Sequence, residues 1–216
     1  MGGNRKSREK YEHYLERKIE ERTKLLTTEH KKLKDLFLQT IKALSAAIEA
    51  KDKYTHNHSE RVGYFSVLLA KAMDLDADDI RDIEFAGILH DIGKISVDEK
   101  ILNKPDALTE TEYRIVKNHP LVSAKIISSI SELSRVATYI RHHHEFWNGK
   151  GYPDRLKGKQ IPLGSRIIAI ADAYDTMALD RSYRRAIPPS KIIEELQKGA
   201  GEQFDPKAVS LFIKLI

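Results

Sequence analysis

Ile80-Arg81-Asp82-Ile83-Glu84-Phe85-Ala86-Gly87-Ile88-Leu89-His90-Asp91-Ile92-Gly93-Lys94 is the stretch on which the reading of this chain turns. Its first ten residues place apolar side chains at helical spacing, and Asp76 to Asp79 supply the acidic start such a helix favours. The helix delivers a histidine and an aspartate side by side, two kinds of metal ligand at one point. Ile83, Ala86 and Gly87 share the face of His90, and the two small residues leave room for an imidazole and an ion. Gly93 is expected to end the helix.

Partners for this pair lie in both directions. His58 shares a face with Val62, Phe65 and Leu69, so it points inward. Thr109 and Glu112 form a capping box for a helix expected to run to about Asn118. It stops at His119-Pro120, because the residue before a proline is biased out of the helical region. Helices over Leu121 to Ile130 and Leu133 to about Glu145 follow, the second carrying His142, His143 and His144. Both His143 and His144 lie three or four residues beyond Ile140, within reach of the interior. Glycines and prolines punctuate residues 148–165, a long loop of the kind that is commonly functional. A helix over Ile167 to Met177 sets Asp172 and Asp175 on one face, and a last helical section opens at Pro188-Pro189-Ser190. No segment alternates as a strand does, so the expected fold class is all-α.

Residues 1–39 lack proline, have glycine only at Gly2 and Gly3, and read as one helix. Leu15, Ile19, Leu26, Leu33 and Leu36 follow alternating four- and three-residue steps, a coiled-coil seam interrupted by Arg22 and Glu29. The spacing predicts a parallel homodimer; an amphipathic helix packed on its own domain is the alternative. The expected organisation is a helical linker or coiled coil over 1–39 and a globular domain over 40–216, with room for a sensory or receiver domain upstream.

The chain has 216 residues, 41% hydrophobic and 32% charged, as in a soluble globular protein. The net charge of +5 is concentrated at one end: residues 1–39 hold 11 Lys+Arg against 7 Asp+Glu, a net +4 that leaves +1 for the rest. Duplex nucleic acid is therefore not an expected partner. No run is apolar enough for a membrane span and no signal peptide is visible, so a cytoplasmic location is expected. With no cysteine there is no disulfide, thiolate ligand or cysteine nucleophile.

A metal site must therefore use nitrogen and oxygen. Each of His58, His90, His119, His143 and His144, taken singly, is more often structural. Burying all of them with Asp91 and Asp172 costs roughly several kcal/mol each unless a cation accepts their lone pairs. Imidazole and carboxylate donors suit Fe or Mn, and also Ni, Co or Zn. Seven ligands exceed the needs of one ion, which points to two divalent ions with Asp91 bridging. Two ions about 3.5–4 Å apart suit phosphodiester hydrolysis. His13, His30, His56 and His142 are weaker candidates.

With these residues in place the sequence resembles the HD-GYP family, a branch of the HD superfamily of metal-dependent phosphohydrolases. The matching residues are His90-Asp91-Ile92-Gly93-Lys94 and His143-His144-Glu145-Phe146-Trp147-Asn148-Gly149-Lys150-Gly151-Tyr152-Pro153. Ile161-Pro162, Asp172, Asp175, Arg181-Ser182-Tyr183-Arg184 and Phe204-Asp205-Pro206 complete the ordered set, which covers roughly Leu36 to Ile216. The resemblance implies an HD-superfamily helical bundle that cleaves cyclic di-GMP to pGpG and, in some members, on to GMP. It implies His58, His90, Asp91, His119, His143, His144 and Asp172 as metal ligands, with Asp91 also catalytic. Lys94 would be the proton donor, its pKa lowered for the task. Arg181, Arg184, Tyr152 and Asp175, with Lys94, would contact substrate. Tyr54 stands where some members carry a glutamate for a third metal, so two metals are expected; Asn148 stands where an aspartate is common. The rival readings are a catalytically silent cyclic di-GMP receptor and an HD hydrolase for another nucleotide, such as a cyclic GMP-AMP hybrid or a guanosine polyphosphate.

Overall fold

The computed structural model describes residues 3–52, 57–178 and 187–216. The described residues form helices and turns with no strand, only an isolated bridge between Ala200 and Phe204. The chain divides into two compact units, Met1–Thr40 and Ile41–Ile216. The first is the long outer part of α1 (Gly3–Glu49). Its seam residues are open to solvent, with Ile19 65%, Leu26 69% and Leu33 64% exposed. The helix continues without a break past Leu36, where Ile41, Ser45 and Ile48 become buried.

In the second unit, α2 (His58–Ala72) and α3 (Ala77–Leu89) pack closely because glycines face each other across the contact. A Cβ on Gly87 would sit 2.9 Å from the Gly63 Cα. Asp76 caps α3 by accepting from the Asp79 amide at 2.8 Å. The helix ends at Leu89, and Ile92–Ser96 continues as a tighter 3-10 turn. Gly93 therefore does not end α3. It lies inside the 3-10 turn, where a Cβ would run into the His119 carbonyl oxygen and lie 2.6 Å from the Ser123 nitrogen. Its missing side chain permits a close helix approach rather than a left-handed cap.

After the short α4 (Glu99–Leu102), α5 (Glu110–Val116) starts with the expected capping box between Thr109 and Glu112. The next helix, α6 (His119–Ile127), includes the His-Pro pair in its first turn, because a proline there lacks only an amide hydrogen that would have no helical partner. Helix α7 (Ser134–Arg141) is shorter than expected, and His142, His143 and His144 follow it as turns. Then come the loop, α8 (Leu163–Ala178), α9 (Pro189–Gly199) and α10 (Pro206–Phe212). Leu69, Ile83, Ile167, Ile170, Leu196 and Phe212 form the centre of the apolar core. That core fixes α2, α3 and α8 together, and with them the histidines and aspartates they carry.

Candidate metal centre

Four helix ends and one helix face meet at the centre. His90, His119 and His143 each place Nδ1 against a backbone carbonyl three residues back: Gly87 at 2.7 Å, Val116 at 2.7 Å and Ile140 at 2.6 Å. A carbonyl only accepts, so each Nδ1 carries the hydrogen and each Nε2 keeps its lone pair. His58 is oriented differently. Its Nδ1 lies 2.7 Å from the buried Asp175 carboxylate, which also takes the Arg61 guanidinium at 2.6 Å and 3.1 Å.

The seven residues expected as ligands converge. Donor atoms of His58, His90 and Asp172 lie within 4.8 Å of one another, as do those of His119, His143 and His144, and those of His90, Asp91 and His143. Asp91 faces both flanks: Oδ2 is 3.4 Å from His90 Nε2, and Oδ1 is 3.2 Å from His119 Nε2. The buried Nε2 atoms of His119 and His143 have no hydrogen-bond partner. Orphaned buried lone pairs are costly unless something accepts them. A cation does so, and the residues present fit one.

Protonation favours the same use. Burial, with His144 alongside, holds His143 well below its ordinary value. Burial and the neighbouring His119 push His144 down to about 3. Burial also lowers His90, against the pull of Asp91. Burial acts to raise the Asp91 carboxyl, yet Lys94 and His90 hold it well below the usual range. Asp172 is held low in the same way by His58. His58 is the exception: burial opposes its charge, but Asp172 and Asp175 outweigh that and raise it to about 9.

Lys94 lies 2.7 Å from Asp91 and 3.2 Å from Asp52. Burial acts against its charge, but the two carboxylates dominate and push its pKa above the ordinary lysine range. The structure thus brings Lys94 to the site, paired with two carboxylates that raise its pKa, whereas the lowering implied by the resemblance is that of an amine beside bound cations. Asp175, expected as a substrate contact, is buried and engaged by His58 and Arg61. Arg181, Arg184 and Tyr54 lie outside the described residues.

Around the centre the backbone is tied by Ser123, which motif reading passed over, and by residues of the second motif. Ser123 donates to the His90 carbonyl at 2.8 Å and accepts from the Gly93 amide at 2.7 Å, locking the turn after α3 to α6. Buried Glu145 accepts from the amides of Asp154 at 2.6 Å and Leu156 at 3.1 Å, holding the long loop from inside. Gly151 lets that loop close, since a Cβ would collide with the Phe146 amide nitrogen and the His144 carbonyl oxygen. Tyr152 then lies with its ring 5.0 Å from the His144 ring. Asn148 supports the turn by donating to Glu202 at 2.8 Å and accepting from the Lys150 amide at 2.9 Å. His142 is turned aside to Asp154 and the Thr138 carbonyl.

A cavity of about 630 Å³ opens on His143, His144 and Asp172, with Lys150, Thr176 and Lys198 among its walls. A second, of about 440 Å³, reaches Lys94 and Asp52 between Leu102, Leu108 and Val116. Two buried triads joined by a two-faced carboxylate, beside a cavity of nucleotide size, can hold two cations against an anionic substrate.

Comparison with known proteins agrees with this geometry. The family model described as HD domain matches residues 42–208. The chain is 37% identical over 183 residues to a cyclic di-GMP phosphodiesterase of Thermotoga maritima, covering 84% of this chain and 50% of that protein. It is 34% identical over 188 residues to 3'3'-cGAMP-specific phosphodiesterase 3 of Vibrio cholerae, covering 87% and 41%. The chain thus spans about half the length of the curated relatives it matches. Its fold is that of a cyclic GMP-AMP specific phosphodiesterase crystal structure from V. cholerae, with a TM-score of 0.63, 22% identity, and coverage of 82% of this chain and 47% of that one. With its ordered motifs, buried triads and matched family model, the chain belongs to the HD domain family, as its resemblance to the HD-GYP branch implies.

Proposed function

We propose that this chain is the catalytic part of a phosphodiesterase that hydrolyses cyclic di-GMP. The observation that carries the reading is Asp91, whose two oxygens face the separate imidazoles of His90 and His119. His58, His90, Asp91 and Asp172 would hold one divalent ion, and Asp91, His119, His143 and His144 the other. Fe or Mn is the proposed metal; Co, Ni and Zn are compatible with the same donors. Such ions, when bound, polarise a phosphodiester and acidify water.

The chain's own groups do the rest. Lys94, in contact with Asp91 and Asp52, would give its proton to the departing 3′ oxygen. Asp175 and Arg61 keep the His58 ring turned toward Asp172. Tyr152 stands beside His144 at the rim. Arg181 and Arg184 are proposed as phosphate and guanine contacts on the strength of the resemblance. The first product is the linear pGpG, and a second cleavage would yield GMP.

The Vibrio relative supports a second reading, in which the substrate is cyclic GMP-AMP. The regulatory context is also part of the proposal: a homodimer through the exposed seam of α1, an input domain upstream, and a cytoplasmic location. No helix among the described residues is long and apolar enough to cross a membrane.

The test is turnover of both cyclic dinucleotides by metal-analysed protein, wild type against His90→Ala and Asp91→Ala. Each variant is expected to lose bound metal and at least roughly a hundredfold in rate. Retained hydrolysis after loss of metal would overturn the mechanism. Tight cyclic di-GMP binding with no turnover on Mn or Fe would leave a receptor instead.

A further inference from the structure

Lys117 is a cation beside the site that neither the motifs nor the metal centre uses. It lies two residues before His119 and directly after the last residue of α5. Its Nζ sits 4.6 Å from the centroid of the Tyr113 ring and 4.8 Å from that of Tyr152. Among the described residues no carboxylate lies within ion-pair distance of it, in contrast to Lys94, which has two. An ammonium between two aromatic faces is held in place without being neutralised, because the rings attract it but accept no hydrogen bonds as strong as those of an oxyanion. The same Tyr152 ring lies 5.0 Å from the His144 ring, so the cation stands at the rim of the centre.

A cyclic dinucleotide carries two phosphodiesters on opposite sides of one ring. When one is at the imidazole–carboxylate centre, the other must be held away from it and still be compensated. We propose that Lys117, clamped between Tyr113 and Tyr152, binds the second, uncleaved phosphodiester of the cyclic dinucleotide. The inference rests on the phosphodiesterase reading above. In this arrangement Tyr113 and Tyr152 orient the ammonium, and the phosphate supplies the oxygens the lysine lacks. The site thereby distinguishes a ring with two phosphodiesters from a simple diester with one.

The experiment compares wild type, Lys117→Met and Lys117→Arg on cyclic di-GMP, cyclic GMP-AMP and bis(p-nitrophenyl) phosphate, a diester with a single phosphate. Lys117→Met keeps much of the stem's packing but removes the charge. Its ratio of kcat/KM for the cyclic dinucleotide to that for the small diester is expected to fall roughly tenfold to a hundredfold. The change should lie mainly in KM, and Lys117→Arg should recover most of it. A phosphorothioate cyclic dinucleotide, used as an inhibitor of the small-diester reaction, should show the same loss in Ki. If Lys117→Met does not fold, Lys117→Gln gives the same comparison. An unchanged ratio in a folded variant overturns the inference alone, as does a parallel fall on all substrates, which would mark a purely structural clamp. If wild type cleaves the small diester but neither cyclic dinucleotide, the substrate reading itself fails.

Discussion

At the scale of single residues, the centre is built by histidines that finish helices. The last carbonyls of a helix have no amide to accept from. His90, His119 and His143 follow the ends of α3, α5 and α7 and satisfy one such carbonyl each with Nδ1. One hydrogen bond thus caps the helix, sets the tautomer and aims Nε2 at the centre. His58 begins a helix and has no such carbonyl, so its ring needs Asp175, distant in sequence. Asp175→Asn keeps the shape but removes the charge that His58 and Arg61 face. It is expected to weaken metal binding roughly tenfold to a hundredfold while leaving the fold intact, as read by competition with a chromophoric chelator. An unchanged metal affinity would show that His58 is held by packing alone. The motif order put Asp175 near the site, but only its burial and contacts showed that it faces His58 and Arg61.

At the scale of elements, most helices were legible from spacing, and several of their C-terminal ends were not. The capping box at Thr109 and Glu112 was readable because both partners lie within one turn. The end of α3 was misread because a glycine after a helix signals a left-handed cap, whereas Gly93 answers a neighbour thirty residues on. Here α6 presses its His119 carbonyl and Ser123 amide against the 3-10 turn, and Ser123 bridges the two backbones. Gly93→Ala is expected to cost about 1–3 kcal/mol, the range of an overpacked core. In a domain of this size that is a drop of roughly several degrees in Tm, measurable by calorimetry. A variant as stable as wild type would mean that α6 can retreat without loss.

At the scale of the whole molecule, α1 carries a heptad-spaced apolar seam that is exposed, with Leu26 at 69% and Leu33 at 64%. Soluble proteins rarely leave such a stripe uncovered. Light scattering is expected to give twice the chain mass for residues 1–216 and the single-chain mass once residues 1–39 are removed. A full-length chain that stays monomeric at tens of micromolar, as a rough working concentration, would remove the parallel dimer of the coiled-coil reading. The globular unit, by contrast, closes on its own core of Leu69, Ile83, Ile167, Ile170 and Phe212.

The sequence by itself determined the all-helical class, the donor types available to a metal and the chemistry such donors permit. Periodicity, absence of cysteine and the ordered motifs are local properties of a chain, readable before it folds. Only the tertiary structure decided which atoms meet. It brought His58 from α2, Asp91 from the turn after α3, and Asp172 from α8 within reach of the other imidazoles. It raised the pKa of Lys94 by setting it against Asp91 and Asp52, and placed Lys117 between two tyrosines. Electrostatic environment depends on distance through space, and residues 52 and 94, like 117 and 152, become neighbours only when the helices pack.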